Sequence, residues 1–166
     1  MFEKVIESLE NKEIRGATMD MYIYPNGEFT IVPSGHSKNR EWIGSRNLDY
    51  KIKGNLKSMD INSIIDKIEE GLYISVNYDE RGILAKKENV EEKFLENARK
   101  EDFKNYYKVS FVLLSQAKKL RVNSLTCVDK KNDEWVAKRE NSVEFELSQR
   151  KNLEKYIEEN FSRNIR

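Results

Sequence analysis

Apolar side chains recur along this chain with two different periods, and the switches between them mark its elements. Phe2, Val5, Ile6 and Leu9 fall at i, i+3, i+4 and i+7, the spacing of one helical face. After Gly16 the period drops to two. Met19, Met21 and Ile23 share one side of a strand, while Thr18, Asp20, Tyr22 and Tyr24 share the other. Pro25-Asn26-Gly27-Glu28 follows, with Phe29 to Val32 as the return strand. Asn-Gly between alternating segments is the strongest short hairpin signal, because both residues of a two-residue turn need positive φ.

Residues 33 to 47 show no sustained period and read as the longest loop. Leu48, Tyr50 and Ile52 alternate again as a third strand closed near Gly54. Ser58 or Asp60 then caps a helix whose face is Ile61, Ile64, Ile65 and Ile68, with Gly71 placed as its stop. Leu72, Ile74, Val76 and Tyr78 predict a strand that ends in the polar run 79–82. Asn89 and Glu92 stand in capping-box spacing ahead of Phe94, Leu95 and Ala98. Tyr107 to Leu114 reads as a central strand. Leu120 and Val122 are out of phase with Leu125 and Cys127, which predicts a bulge near Asn123. Trp135, Ala137, Val143, Phe145 and Leu147 complete an antiparallel meander. Ser148 opens a last helix with Leu153, Tyr156, Ile157 and Phe161 facing inward.

Runs of strands with few crossover helices define an α+β fold. The expectation is a single domain over residues 1–166, with mainly antiparallel sheet, about four helices and an N-terminal β-hairpin at Asn26-Gly27. Residues 79–89 are the one place where the chain could divide into two half-domains. That segment is short and carries Ile83-Leu84-Ala85, so one domain is preferred.

Composition narrows the chemistry. With 38% hydrophobic and 36% charged residues and a mean hydropathy of −0.80, a modest core lies beneath a heavily charged shell. Aromatic residues at 10% supply the large apolar side chains that disordered chains lack. Thirty basic residues against 29 acidic ones leave a net charge of +1, without the surplus of a dedicated nucleic-acid binder. The one cysteine, Cys127, excludes an internal disulfide and a thiolate zinc site, and its apolar strand makes it a small buried hydrophobe. The one histidine, His36, excludes mechanisms that need two imidazoles. The seven glycines are too scattered for a phosphate cradle. The N-terminus lacks the basic and apolar regions of a secretory signal, and no apolar run approaches the ~18 residues of a membrane span. A cytoplasmic protein without membrane association is expected.

Two stretches carry opposite charge. Between residues 36 and 58, Lys38, Arg40, Arg46, Lys51, Lys53 and Lys57 face only Glu41 and Asp49, a surplus of +4 with Trp42 interleaved. Between 60 and 80, Asp60, Asp66, Glu69, Glu70, Asp79 and Glu80 face Lys67 alone, a surplus of −5. Opposed patches steer charged partners, and are also what ordinary solvated faces look like. His36 beside Arg40 and Arg46 could serve a metal-independent ribonuclease, as base and phosphorane-stabilising cations with Tyr22 or Tyr24 assisting. A lone histidine in a polar loop is more often a plain surface residue. Glu144 and Glu146, with Glu134 and Lys138 on the preceding strand segment, could gather a metal. As the polar face opposite Val143, Phe145 and Leu147 they need no such role. Neither a metal nor a cofactor is expected.

Without a complete catalytic set, the sequence favours a non-enzymatic protein-binding module. The composition, rich in Lys, Asn, Ile and Glu, suits a bacterial or phage protein such as an inhibitor, immunity or anti-defence protein that covers a partner's working surface. Tyr22, Tyr24, Lys38, Arg40, Trp42 and Arg46 are the expected partner contacts, since Tyr, Trp and Arg dominate binding hot spots. The alternative is a nucleic-acid binder, or a ribonuclease built on His36, Arg40 and Arg46, acting through the basic loop 36–47.

Overall fold

A computed structural model describes residues 2–38, 41–44, 52–77, 87–101, 106–114, 116–131 and 134–161. Along the chain these form α1 (Glu3–Asn11), β1 (Ile14–Ile23), β2 (Glu28–Lys38), β3 (Glu41–Gly44), β4 (Ile52–Asn55), α2 (Ile61–Asn77), α3 (Lys87–Lys100), β5 (Tyr107–Leu114), β6 (Lys119–Lys131), β7 (Glu134–Glu146) and α4 (Arg150–Asn160). The fold is α+β. One antiparallel sheet runs in the order β3-β2-β1-β5-β6-β7. β4 joins the same outer edge of β2 as β3, pairing with residues 28–31 while β3 pairs with 35–38.

The period-two pattern decides the faces. Ala17, Met19, Met21 and Ile23 of β1, Val109, Phe111 and Leu113 of β5, and Leu120 and Val122 of β6 enter one apolar cluster. The same cluster takes Val5 and Leu9 from α1, Ile64, Ile65, Ile68, Leu72 and Val76 from α2, and Leu153 and Ile157 from α4. Three helices therefore cover this inner face. A smaller cluster on the outer face holds Tyr22, Val32 and Tyr106 beneath Val90, Phe94 and Ala98 of α3.

The hairpin forms where Asn-Gly places it, with a different turn. The Gly27 amide donates to the Tyr24 carbonyl at 3.0 Å and the Tyr24 amide to the Glu28 carbonyl at 2.9 Å. Only Gly27 has positive φ there, at 92°. The loop thus has three residues: Pro25 sets the first turn position and Gly27 closes it. Asn26 Oδ1 accepts from the Glu28 amide at 3.0 Å.

Three expectations need correction. The run from Leu72 continues α2 to Asn77, and Gly71 is interior to the helix rather than its stop. Leu72 and Val76 satisfy the helical i+4 spacing as well as the alternating one, and the helix buries both. Residues 33–38 belong to β2 and 41–44 to β3. Alternation disappears there because residues 31 to 36 are all buried, with a register slip between Thr18 and Met19 of the partner strand. The capping readings divide. Asp60 Oδ1 accepts the Ser63 amide at 2.8 Å, whereas α3 begins at Lys87, ahead of Asn89, and Gln149 rather than Ser148 precedes α4. The register does slip one step past Asn123, between Ser124 and Leu125, but the extra residue there is Glu140 of β7; the extra residue of β6 is Val128. Leu48, Tyr50 and residues 78–86, including the Tyr78 end of the expected strand, lie outside the described residues.

α2 seats closely on the β1–β2 pair. A Cβ on Gly71 would stand 2.7 Å from Met19 Sδ and 2.8 Å from Ile31 Cγ2, so a side chain fits only if Met19 and Ile31 give way. Gly71→Val should overpack this contact and cost about 1–3 kcal/mol, read as a lowered urea midpoint at unchanged m-value. An unshifted midpoint would show that the seat yields freely.

Candidate functional site

The outer face of the sheet carries the polar and aromatic side chains that alternate with the core. Asp20 of β1 stands opposite Ser110 of β5, which faces Asn123 of β6, which faces Ser142 of β7. Ser110 Oγ donates to Asp20 Oδ1 at 2.9 Å, Ser34 Oγ to Asp20 Oδ2 at 3.4 Å, and Ser142 Oγ to Asn123 Oδ1 at 2.7 Å. This rung of small polar groups crosses the sheet. Lys108 extends it, 3.7 Å from Asp20 Oδ2 and 3.9 Å from Glu91 Oε1 of α3. Asp20 is only 7% exposed, so the hydroxyls and the ammonium replace the water it has lost.

Beside the rung, α3 lies on a platform of tyrosines. Phe94 meets Tyr22, Tyr24 and Tyr106 with ring centroids 5.2, 5.4 and 5.5 Å away, all tilted or edge-on as ring quadrupoles favour. Tyr22 is fully buried, and among the described residues its hydroxyl has no hydrogen-bond partner. Burial, with the carboxylates of Asp20 and Glu91 nearby, pushes this phenol far above its usual range. Tyr22 therefore is not a surface contact; α3 occupies the side of the hairpin on which the sequence places a partner. Tyr24 is half-buried, its phenol raised by burial and the neighbouring Tyr106 and lowered by a hydrogen bond with Asn97.

Tyr24 also lines an open cleft of about 800 Å³ between the hairpin, β4 and α3. Lys53 enters it from β4 and Lys93 from α3, with Glu28 and Asn26 at the hairpin end and Val90 and Met59 among its apolar lining.

His36 points to the opposite side. It is 4% exposed, and its Nδ1 donates to the Ser75 carbonyl of α2 at 2.7 Å. Ser75 Oγ in turn lies 2.9 Å from the Thr18 carbonyl at the β1–β2 register slip, and 2.9 Å from the Gly71 carbonyl. Burial lowers the imidazole pKa, only partly opposed by the Ser75 carbonyl, and Lys12 and Lys38 lower it further. This ring ties helix to sheet. Lys38 is half-buried at the end of β2, opposite Glu41. Arg40, Arg46 and the side chain of Trp42 lie outside the described residues. Glu144 pairs with Arg121 at 2.9 Å and Lys119 at 3.9 Å on the outer face. Among the described residues no three His, Cys, Asp or Glu side chains are grouped to hold a metal, and no helix is long and apolar enough to cross a membrane.

The outward side of α2 holds a feature the strand reading conceals. Tyr73 is 42% exposed, the only large hydrophobic side chain so exposed among the described residues. Asp66, Glu69 and Glu70 precede it by seven, four and three positions, the helical spacing that places them on one side. With 72–78 read as a helix, that spacing would have marked Tyr73.

No family model matches the chain, and no curated protein matches it. Among solved structures it is similar to NMB0488 from Neisseria meningitidis, a protein of unknown function, at 12% identity and a TM-score of 0.48 over 81% of this chain and 85% of that one. Such a likeness carries no argument about function.

Two outcomes follow from the buried groups. Tyr22→Phe removes an unpaired buried hydroxyl, so stability should rise by about 1 kcal/mol in urea unfolding; a loss of similar size would reveal a partner for that hydroxyl. For His36, the folded pKa lies below the unfolded value of 6.5, so the unfolded chain binds the proton more tightly. This contribution is full above about pH 6.5 and is lost as pH falls through the depressed folded value. The wild-type urea midpoint should therefore drop more between pH 7.5 and pH 5.5 than that of His36→Gln. Parallel losses would remove His36 as the cause.

Proposed function

We propose that this chain is a non-catalytic protein-binding module that covers a partner's working surface, in the manner of an inhibitor, immunity or anti-defence protein. The observation that carries this reading is Tyr73, exposed on α2 beside Asp66, Glu69 and Glu70. Tyrosine supplies a large, rigid contact at low entropic cost, and hot spots concentrate on such residues. The net acidic charge of this side of α2, where Asp66 already lies 3.8 Å from Arg150, favours a basic partner and would speed its approach at low salt. A basic working surface is what an enzyme acting on nucleic acid presents, because it must neutralise phosphates. The partner would then be occluded by acidic protein in place of its polyanionic substrate.

The nucleic-acid reading rests on Lys38, Arg40, Trp42 and Arg46. It is favoured less, since the chain has no overall basic surplus and His36 is committed to the α2 contact.

The test is capture of the tagged protein from its native host, with nuclease-treated and untreated lysates compared by mass spectrometry. One stoichiometric protein should survive nuclease treatment. Tyr73→Ala should weaken its binding by about 2 kcal/mol, roughly 30-fold in Kd, with the unfolding midpoint unmoved. A partner that disappears with nuclease, or that binds Tyr73→Ala unchanged, would overturn this assignment.

A further inference from the structure

The cleft beside Tyr24 is a second surface, remote in sequence from Tyr73 and unused by the reading above. Its volume of about 800 Å³ lies within the usual range of ligand sites. Small-molecule sites, however, bury most of their ligand's surface. Here Glu28, Lys53, Ser58 and Lys93 all stand exposed in the walls, so a small molecule would keep much of its surface in water. A segment of chain that enters and leaves suits the shape better.

The charges define what that segment carries. Lys53 and Lys93 come from different elements, and among the described residues neither joins an ion pair. Lys108 makes the contrast on the same face of the sheet, held between Asp20 and Glu91. Two lysines in the walls of one cleft ask for carboxylates. The apolar lining at Val90 and Met59 accepts an aliphatic or aromatic side chain between them. Nucleic acid fits poorly. Glu28 reduces the wall to a surplus of one positive charge, too little for phosphate-driven affinity. Tyr24 is half-buried against Phe94 and Tyr106, so it offers less open ring than a stacking platform does.

We propose that this cleft binds an acidic segment of polypeptide, with its carboxylates on Lys53 and Lys93 and an apolar side chain against Val90 and Met59. The proposal rests on the protein-partner reading and adds a second, oppositely charged contact to it.

The intact protein is titrated with a peptide that carries fluorescein on its N-terminal amine, fluoresceinyl-Glu-Phe-Glu-Leu-Glu-amide. Its Gln-Phe-Gln-Leu-Gln counterpart and a ten-residue oligo-dT serve as controls, and binding is followed by anisotropy and by amide shifts in 15N spectra. The acidic peptide should bind saturably and shift Lys53, Lys93 and Asn97. Lys53→Glu with Lys93→Glu should lower its affinity at least tenfold, and the milder Lys53→Gln with Lys93→Gln should lower it less, each with an unchanged unfolding midpoint. Absent binding, equal binding of the glutamine peptide, indifference to both double variants, or equal binding of oligo-dT would each overturn the proposal. Any of these, found while a captured protein partner still depends on Tyr73, would refute the cleft assignment and leave the protein-binding reading standing.

Discussion

Gly71 and Ser75 stand one turn apart on the buried side of α2, and together they set how near that helix lies to the β1–β2 pair. Gly71 removes the atoms that would hold Met19 and Ile31 away. Ser75 uses the resulting closeness: its hydroxyl reaches the Thr18 carbonyl at the register slip, and its carbonyl receives the His36 ring. A slip in a buried ladder leaves backbone groups that need partners, and here the helix supplies contact at that point. Much follows from this seat. With Gly71 and Ser75 turned inward, Asp66 and Tyr73 must turn outward. The helix also fixes where α4 can dock, through Arg150, which reaches Asn62 Oδ1 at 3.0 Å and Asp66 at 3.8 Å. α1 is tied to the far end by Asn77, whose Nδ2 lies 3.1 Å from Ser8 Oγ.

How much of this was legible in the sequence depends on whether an element has one buried face or two. β1 and β5 bury one side fully and hold polar groups on the other, so their alternation places Met19, Met21, Val109 and Phe111 correctly. β2 is covered on both sides between Ile31 and His36, and a strand without a wet face has no alternation to read. The stretch from Leu72 to Tyr78 errs the other way. Isoleucine, valine and tyrosine favour strands, yet Leu72 and Val76 sit equally well on a helix, and only their burial in the shared core decides between them. The hairpin signal at Asn26-Gly27 was sound, though Pro25 lengthened the turn by one residue.

The surface proposed for binding was legible only as charge. The acidic excess after residue 60 is real on α2, but its aromatic centre, Tyr73, was hidden inside a strand assignment. Tyr22 and Tyr24 were correctly placed on the outer side of the hairpin. What covers them, α3, comes from 63 residues later in the chain, and no local pattern announces a contact across that distance. Lys53 and Lys93 acquire shared meaning for the same reason, since the cleft exists only once α3 has docked beside β4. Neither surface needs a motif, because complementarity is a property of assembled surfaces.

The seating of α3 makes the two layers unequal in persistence. The inner layer is locked by a cluster that runs from Phe2 to Phe161, while α3 rests on Val90, Phe94, Ala98 and a bed of tyrosines. Opening free energies scale with the apolar contact that must be broken, so α3 forms the lower rung of a two-step ladder of local unfolding. When it lifts, the sheet beneath loses none of its ladder hydrogen bonds, and Tyr22 meets water that can satisfy its hydroxyl. The chain thus carries a breathing element whose departure would expose a patch of aromatic rings on an otherwise intact β-sheet, a state visible to proteases and to hydrogen exchange before any global melting.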